Sequence, residues 1–342
     1  MFELIPETKQ AAVAQGLRAS FGSVALDGLE PVRGGLSSAL VYRMTIKGRC
    51  YLLRMVMKVD AINDPARHFA CMTAAANAGL APAVHYTSAA DGLSITDFVA
   101  GRPLAALERP RPALLADLAT AVRRLQALAP FPPLVDYLDG VAQLIARVRA
   151  SDLLPASGHP AFERCAEIAA VYPRVPEDQV ASHNDINPNN CLWDGQRIWI
   201  VDWEAAFRND RYVDPAYICN FFTGSPEEEL GFLTAYFAAP PTDIQKARIF
   251  LMRQVCQTFF GAILLQTAAA ARPELRLLAE AFVTPPLPEL RPRTALLLQT
   301  PEGQIHLALA VLNQVEASAQ SAGFTEALHM VDRFADAGPG SV

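Results

Sequence analysis

The chain's most informative run is Ser182-His183-Asn184-Asp185-Ile186-Asn187-Pro188-Asn189-Asn190. A second segment, Val201-Asp202-Trp203-Glu204, places its aspartate twelve residues beyond Asn190. In such a pattern one carboxylate can orient a hydroxyl nucleophile, while an amide and another carboxylate supply the hard oxygen ligands that suit Mg²⁺ on a nucleoside triphosphate. The spacing therefore predicts a phosphoryl-transfer site.

The polar run also has a simpler interpretation as a turn, because Asn and Asp residues favour turns. Its context favours function: Ile198-Trp199-Ile200-Val201 is typical of a strand and leads directly into Asp202. We expect Asp185 to orient the acceptor hydroxyl, and Asn190 and Asp202 to hold Mg²⁺. His183 is expected to support the loop by hydrogen bonding, because Asp185 already fills the role of a base.

A glycine turn nearer the N-terminus, Gly34-Gly35-Leu36-Ser37-Ser38, could cover phosphates with its amides and hydroxyls. Glycine pairs also form ordinary hairpins, so the prediction gains its weight from Arg54, one strand later. Arg54 interrupts an apolar run, where a charge should be paired or bind an anion. Its guanidinium suits α- and β-phosphate oxygens, and the alternative is an edge-strand arginine that reaches solvent.

Residues near the second carboxylate are candidates for acceptor binding, namely Glu204, Trp203 and Tyr212. Glu204 would share a face with Asp202 if strand geometry continued, and a second metal or a cationic substrate could then use it; the alternative is a solvated glutamate. The aromatic residues could form a cage for a quaternary ammonium, although core packing is their commoner role. Asp214, which precedes a proline, is expected to cap the following helix and to secure the loop.

Bulk composition excludes several classes of protein. Apolar residues make up 51% of the chain and charged residues 19%, so a large core can be buried. The net charge of −6 leaves no basic footprint for nucleic acid and favours a neutral or cationic acceptor. There is no signal-peptide pattern, the apolar stretch between Gln257 and Gln266 is too short to span a membrane, and six scattered cysteines suggest reduced thiols. We expect a cytoplasmic protein, and the sequence leaves its oligomeric state open.

At these residues the chain resembles the choline/ethanolamine kinase and aminoglycoside phosphotransferase group, which shares the protein-kinase-like fold. Matching pieces run in the group's order from the glycine turn to about residue 222, and the last third of the chain carries none. They are the glycine turn, the Arg54 strand, Gly79-Leu80-Ala81-Pro82, the connection from Phe98 to Leu104, the two segments quoted first, and Asp214-Pro215-Ala216. The resemblance implies an α+β bilobed fold with a β-rich N-lobe over 1–98, a connection over 99–104 and a helical C-lobe over 105–336.

The resemblance also implies a function, the transfer of the γ-phosphoryl group of ATP to a hydroxyl of a small molecule, with Mg²⁺. Asp185 would be the catalytic aspartate, Asn190 and Asp202 the metal ligands, and backbone from Asp97 to Val99 would contact adenine. Asn184 and Trp203-Glu204 look more like choline and ethanolamine kinases, which favours an amino alcohol such as choline as acceptor. An aminoglycoside, thiamine, a sugar or homoserine would need the same machinery.

One departure from the group is a missing glutamate. Members usually carry it in the helix after the Arg54 strand, paired with the phosphate-binding base, and residues 65–78 contain none. Either another group orients Arg54 or the nucleotide alone holds it. The departure motivates a second hypothesis, a nucleotide-binding pseudokinase that regulates a partner, although the intact Asp185, Asn190 and Asp202 argue against it. A purely structural helical protein would leave the polar run unexplained.

Overall fold

The computed structural model of the chain describes residues 2–32, 39–104, 109–278 and 282–337. The predicted phosphate-covering residues Gly34, Gly35, Ser37 and Ser38 lie outside these ranges. Contacts divide the chain into two units, a sheet unit and a helical unit. The sheet unit comprises Met1–Leu134, Gln179–Asp214 and Phe221–Ala238, and the helical unit comprises Val135–Asp178, Pro215–Asn220 and Ala239–Val342. The predicted partition into 1–98, 99–104 and 105–336 stays a prediction.

Strands and helices follow one another along the chain as two populations. The strands are β1 (Gly28–Pro31), β2 (Leu40–Ile46), β3 (Arg49–Met55), β4 (Val84–Ser88), β5 (Leu93–Asp97), β6 (Arg102–Pro103), β7 (Gln179–Ser182), β8 (Cys191–Trp193), β9 (Ile198–Ile200) and β10 (Phe207–Asp210). The helices are α1 (Glu7–Phe21), α2 (Pro65–Asn77), α3 (Arg111–Gln126), α4 (Tyr137–Ala150), α5 (Ala161–Val171), α6 (Val213–Phe222), α7 (Pro226–Phe237), α8 (Asp243–Ala271), α9 (Leu287–Leu290), α10 (Thr294–Leu297), α11 (Pro301–Ala319) and α12 (Ala322–Ala337). Strands dominate the described chain up to β6 and helices dominate after it, which confirms the predicted α+β class.

A five-stranded antiparallel sheet forms the first part of the sheet unit, in the order β1-β2-β3-β5-β4. Lys47 and Gly48 close the β2–β3 hairpin with positive φ angles of 50° and 74°, the backbone that a two-residue hairpin turn needs. Arg54 lies on β3, the central strand, opposite Val41 on β2 and Ser94 on β5. The alternative of an edge-strand arginine is therefore wrong.

The sheet buries one face against α1. Alternate residues of β3, namely Tyr51, Leu53 and Met55, point into this core, and α1 contributes Val13 and Leu17 to the same cluster. Such alternation follows from the two-residue period of a strand. Arg54 falls between two inward-facing residues and so projects from the opposite face, which leaves its charge out of the apolar cluster.

Two small antiparallel sheets carry the loops that were singled out in the sequence. β7 pairs with β10, and β8 lies between β6 and β9. The polar run occupies the connection from β7 to β8, and Asp202 follows β9 by two residues. All of these elements belong to the sheet unit, so its strands position both segments.

The helical unit is built around α8, a helix of 29 residues that packs against α4, α11 and α12. The apolar stretch between Gln257 and Gln266 was expected to be too short for a membrane span. It is part of a longer helix, because both glutamines lie inside α8. By length and composition α8 could cross a membrane, yet 67% of its apolar window is buried inside the structure. Its neighbours thus make it the core helix of this unit.

Candidate active site

The Asp185 carboxylate is held on both of its oxygens by side-chain amides from its own loop. Asn187 Nδ2 donates to Oδ1 at 2.9 Å, and Asn190 Nδ2 donates to Oδ2 at 2.8 Å. Asn190 also donates to the Asp185 backbone carbonyl at 3.0 Å. The asparagines of the polar run therefore do more than favour a turn: they fix the direction of one carboxylate.

The Asp185 carboxyl is a stronger base than an ordinary aspartate. Burial raises its pKa to about 7, and the negative charge of Asp202 adds to the rise, while the amide bonds from Asn187 and Asn190 oppose it. A carboxylate with a pKa near neutrality can accept a proton from a hydroxyl that is losing it during a reaction.

Asn184 joins this loop to the segment that follows Asp202. Its φ of 64° is left-handed, a conformation that asparagine adopts more readily than most residues. Its Nδ2 donates to the Ala205 carbonyl at 2.9 Å, and its Oδ1 accepts from Asn209 Nδ2 at 2.7 Å. Asn209, on β10, had no pattern in the sequence that marked it as part of the site.

Asp214 holds the backbone at the start of this loop through its two carboxylate oxygens. They accept the backbone N–H groups of His183 at 3.0 Å and Asn184 at 2.8 Å. Burial raises the pKa of Asp214 to about 6, against the lowering by these two bonds. The predicted helix-capping role of Asp214 is wrong, because α6 begins at Val213 and its N-cap is Tyr212.

Asp202 and Asn190 lie side by side, since the Val201 N–H donates to the Asn190 carbonyl at 2.9 Å. Asp202 Oδ1 is buried and accepts no hydrogen bond in the described part of the chain, although Arg54 Nη1 lies 3.1 Å away as an ion-pair partner. The Asn190 amide nitrogen is engaged with Asp185, which leaves its oxygen for another partner. A carboxylate oxygen that has an ion pair but no hydrogen bond within the described residues, beside one amide oxygen, fits Mg²⁺, which commonly takes one or two protein ligands and completes its shell with water and phosphate.

Arg54 is oriented by the second carboxylate segment. Its Nη2 donates to Glu204 Oε2, and its Nη1 faces Asp202. The shared strand face expected for Asp202 and Glu204 is wrong, because β9 ends at Ile200, Asp202 has a φ of 64° and a 3-10 turn (Trp203–Ala205) follows. Both carboxylates nevertheless reach the same arginine, while the predicted contact of Glu204 with the acceptor stays a prediction.

Trp203, Tyr212 and His183 are packed into the protein. Trp203 is 4% exposed, donates its indole N–H to the Ile200 carbonyl at 3.0 Å, and packs edge-on against His183 with ring centroids 4.7 Å apart. His183 Nε2 lies 3.0 Å from the Val201 carbonyl, and burial lowers the pKa of His183 to about 4, so the ring is neutral at pH 7. Tyr212 is also buried. The acceptor contacts of Trp203 and Tyr212, and the supporting role of His183, stay predictions.

The segment predicted to contact adenine follows β5. The Asp97 carboxylate accepts from Arg49 at 3.0 Å and pairs with His85 at 2.8 Å, so this side chain is already engaged. The Asp97 N–H donates to the Ala83 carbonyl at 2.8 Å. The Val99 N–H has no hydrogen-bond partner within the described ranges, which makes it the backbone group that a nucleobase could use.

A family comparison covers more than half of the chain: residues 28–250 match the model of the phosphotransferase enzyme family. One relative, an uncharacterized protein of Metamycoplasma hominis, is 33% identical over 92 residues, which are 25% of this chain and 18% of that protein. The chain thus spans less than a fifth of that relative's length.

Solved structures with the same fold match the chain over nearly its whole length. A choline/ethanolamine kinase family protein from Mesorhizobium loti has a TM-score of 0.68 at 22% identity, with 96% of this chain and 100% of that chain covered. A choline kinase from Cryptosporidium parvum has a TM-score of 0.64 at 12% identity, with 96% and 99% covered. A spectinomycin phosphotransferase, solved with ADP and spectinomycin, has a TM-score of 0.57 at 11% identity, with 91% and 98% covered.

Proposed function

Since the chain belongs to the phosphotransferase enzyme family, we propose that it transfers the γ-phosphoryl group of ATP, with Mg²⁺, to a hydroxyl of a small molecule. The predicted enzyme class and kinase-like fold are confirmed by this membership and by the solved structures. One observation carries the proposed reaction: Asn187 and Asn190 fix the Asp185 carboxylate close to the Asp202 carboxylate, whose Oδ1 faces Arg54.

Each residue of this cluster has a separate task in the proposed reaction. Asp185 orients the acceptor hydroxyl and takes its proton as the new bond to the γ-phosphorus forms and the bond from that phosphorus to the departing ADP breaks. Asn190 and Asp202 would hold Mg²⁺, which when bound neutralises charge on the phosphates. Arg54 would contact the α- and β-phosphate oxygens, because its planar fork matches them. Asn187 keeps Asp185 from rotating away.

Adenine recognition is proposed to use the backbone between Asp97 and Val99. The Val99 N–H, which has no partner among the residues that the structure describes, supports this, together with the ADP found with the spectinomycin phosphotransferase. Gly101 permits the chain to pass closely there, because a Cβ at this position would lie 3.0 Å from Leu192 Cβ and 3.2 Å from the Trp193 carbonyl.

For the acceptor, an amino alcohol such as choline or ethanolamine is favoured. The chain's net charge of −6 and the two carboxylates of Asp202 and Glu204 beside Arg54 support a cationic or neutral acceptor. The kinases named among the similar structures point the same way. All six cysteines are free thiols, which suits the proposed location in the cytoplasm.

The proposal is tested by turnover with ATP and Mg²⁺ on a panel of choline, ethanolamine, spectinomycin and kanamycin. Asp185→Asn should lower kcat by about 10²- to 10⁴-fold, because it removes the proton acceptor. The matched control is Asp139→Asn, an exposed carboxylate of α4 in the helical unit, which should leave kcat unchanged.

Three outcomes separate the hypotheses. Turnover of choline or ethanolamine that depends on Asp185 supports the amino-alcohol assignment. Turnover of spectinomycin or kanamycin instead would assign an antibiotic as the acceptor. Nucleotide binding without turnover of any acceptor favours the pseudokinase. Full activity of Asp185→Asn would refute the role given to that residue.

A further inference from the structure

The group to which this chain belongs usually pairs its phosphate-binding base with a helix glutamate, and α2 has none. In the structure the carboxylate comes from elsewhere: Arg54 Nη2 donates to Glu204, 150 positions along the chain. The Arg54 side chain is 16% exposed and that of Glu204 29% exposed, so the pair is largely shielded from water. A charge-assisted bond in such surroundings restricts the guanidinium more than a surface pair would.

Helix α2 supplies a cation in place of the glutamate. Arg67 is 4% exposed and donates to three backbone carbonyls, those of Ile62, Ala206 and Glu204, the last at 3.1 Å. Cys71, one turn further on α2, also donates to the Ala206 carbonyl, at 3.5 Å. The helix therefore holds the backbone of Glu204 itself and of Ala206, the residue that ends the short turn carrying Glu204.

We propose that Glu204 is the positioning residue for Arg54, and that Arg67 fixes Glu204 by holding its backbone. This inference rests on the proposed phosphoryl transfer. Two positions differ from the usual arrangement. The helix α2 carries a cation, Arg67, where a glutamate is usual, and the carboxylate that pairs with Arg54 lies on the segment of the proposed metal ligand. Since Asp202 and Glu204 sit two residues apart, one segment sets both the proposed metal ligand and the arginine that faces it.

Burying the charged Arg67 side chain costs free energy, so its presence calls for a geometric reason. The Arg67 guanidinium gives up water for carbonyl partners, and burial lowers its pKa as expected for such a site. A leucine or methionine would fill the same space without that cost. What the arginine adds is direction, since one arm of its planar fork bonds the carbonyls of Glu204 and Ala206 while the other arm bonds that of Ile62.

A double-mutant cycle tests the link between Glu204 and Arg54. Glu204→Gln should lower kcat/KM by about tenfold or more in the wild type, and by less than about threefold when Arg54 is already methionine. Equal losses in both backgrounds would overturn the proposal, because Glu204 would then act independently of Arg54.

The Mg²⁺ dependence separates positioning from metal binding. Glu204→Gln should leave the apparent KM for Mg²⁺ within about twofold, since Asp202 and Asn190 remain. A rise of about tenfold or more in that KM would make Glu204 a metal ligand and would overturn its assignment to Arg54.

Arg67→Lys tests whether Arg67 holds the Glu204 backbone, because a lysine keeps the charge and loses the planar fork. It should lower kcat/KM by several-fold in the wild type, and should cause little further loss when Glu204 is already glutamine. Losses that multiply would refute the coupling. The matched controls are Glu30→Gln and Arg43→Lys, an exposed pair 2.9 Å apart on β1 and β2, which should change neither value.

Hydrogen exchange gives a readout that does not depend on turnover. Arg67→Lys should speed exchange of the amides between residues 202 and 207 by about tenfold or more, while Glu30→Gln should not. Unchanged exchange of these amides would overturn the proposal that Arg67 holds the backbone around Glu204. A wild-type protein inactive on every acceptor would instead refute the proposed function, and the exchange result would still decide whether Arg67 holds the segment.

Discussion

Two buried arginines show how differently the sheet unit and the helical unit use a charge. Arg67 in the sheet unit is 4% exposed and donates to three backbone carbonyls. Arg248 in the helical unit is 3% exposed and pairs with the Asp178 carboxylate at 2.6 Å, with the Tyr172 hydroxyl 3.4 Å from its Nε. The first arginine fixes the path of a loop, and the second joins side chains of its own unit.

Other buried polar groups of the two units differ in which segments they hold. In the sheet unit, Asp214 and Asn184 bond the backbone of the loops around Asp185 and Asp202. In the helical unit, His159 pairs with Asn313 of α11 at 3.1 Å. We infer that changes in the sheet unit should cost activity as well as stability, while changes in the helical unit should cost stability alone.

The largest effect is expected from Arg248→Met. Removing one partner of a buried ion pair leaves the Asp178 charge poorly compensated, which should destabilise the protein by about 3–5 kcal/mol. Turnover per folded molecule should stay unchanged, because its partners Asp178 and Tyr172 belong to the helical unit and not to the proposed site. Urea unfolding measures the first value, and kcat normalised to the folded fraction measures the second.

The double variant Arg248→Met with Asp178→Asn is the control for this prediction. It removes both charges and should recover part of the lost stability. A drop in normalised kcat for Arg248→Met would contradict the separation between the two units.

Asp214→Ala should come next, with a loss of about 2–4 kcal/mol. It strands the His183 and Asn184 N–H groups, and each unsatisfied buried donor costs roughly 1–3 kcal/mol. Unlike Arg248→Met it should also lower kcat, since both N–H groups adjoin Asp185. Asp214→Asn keeps one acceptor oxygen and should lie between wild type and Asp214→Ala in both measurements.

A smaller difference is expected between Asn184→Ala and Asn184→Gly. Both lose the amide bonds to Ala205 and Asn209, but only alanine must strain to hold a φ of 64°, at a cost of roughly 1–2 kcal/mol. Thermal unfolding should therefore rank Asn184→Gly above Asn184→Ala. Equal stability of the two variants would show that the amide bonds, and not the backbone angle, explain the asparagine.

Local patterns were the part of this molecule that the sequence could predict. The polar run from Ser182 to Asn190 and the strand that leads towards Asp202, β9, each depend on residues within a few positions of one another. Short-range rules of capping, turn geometry and strand alternation are sufficient for such features.

Long-range pairing was beyond those rules. Arg54 meets Glu204 across 150 positions and Arg67 meets Ala206 across 139, and no spacing connects either pair. Glu204 was assigned a face by assuming that a strand continued, whereas the left-handed Asp202 ends that geometry. No site residue was predicted in the helical unit. Its sequence around α8 is mainly apolar, and no motif stands out from it.

The smallest effect should appear as a difference in pH dependence between the units. Burial lowers the pKa of His159, which lies near Asn313 and Glu316, so below pH 6.5 the unfolded chain takes up a proton that the folded chain does not. That histidine should cost no more than about 1 kcal/mol at pH 6, and His159→Gln should remove the cost. Asp214 acts oppositely: its pKa of about 6 exceeds the ordinary 3.8, so acid protonates the folded state first and favours it.

Unfolding free energies measured from pH 7 to pH 5 separate the two contributions. The His159→Gln curve should fall less steeply than wild type as the pH drops, because its unfolded state no longer gains that proton. The Asp214→Asn curve should fall more steeply, because its folded state no longer does. Parallel curves for all three proteins would mean that neither group carries the charge behaviour that its burial dictates, and the contrast between the two units would then rest on hydrogen bonding alone.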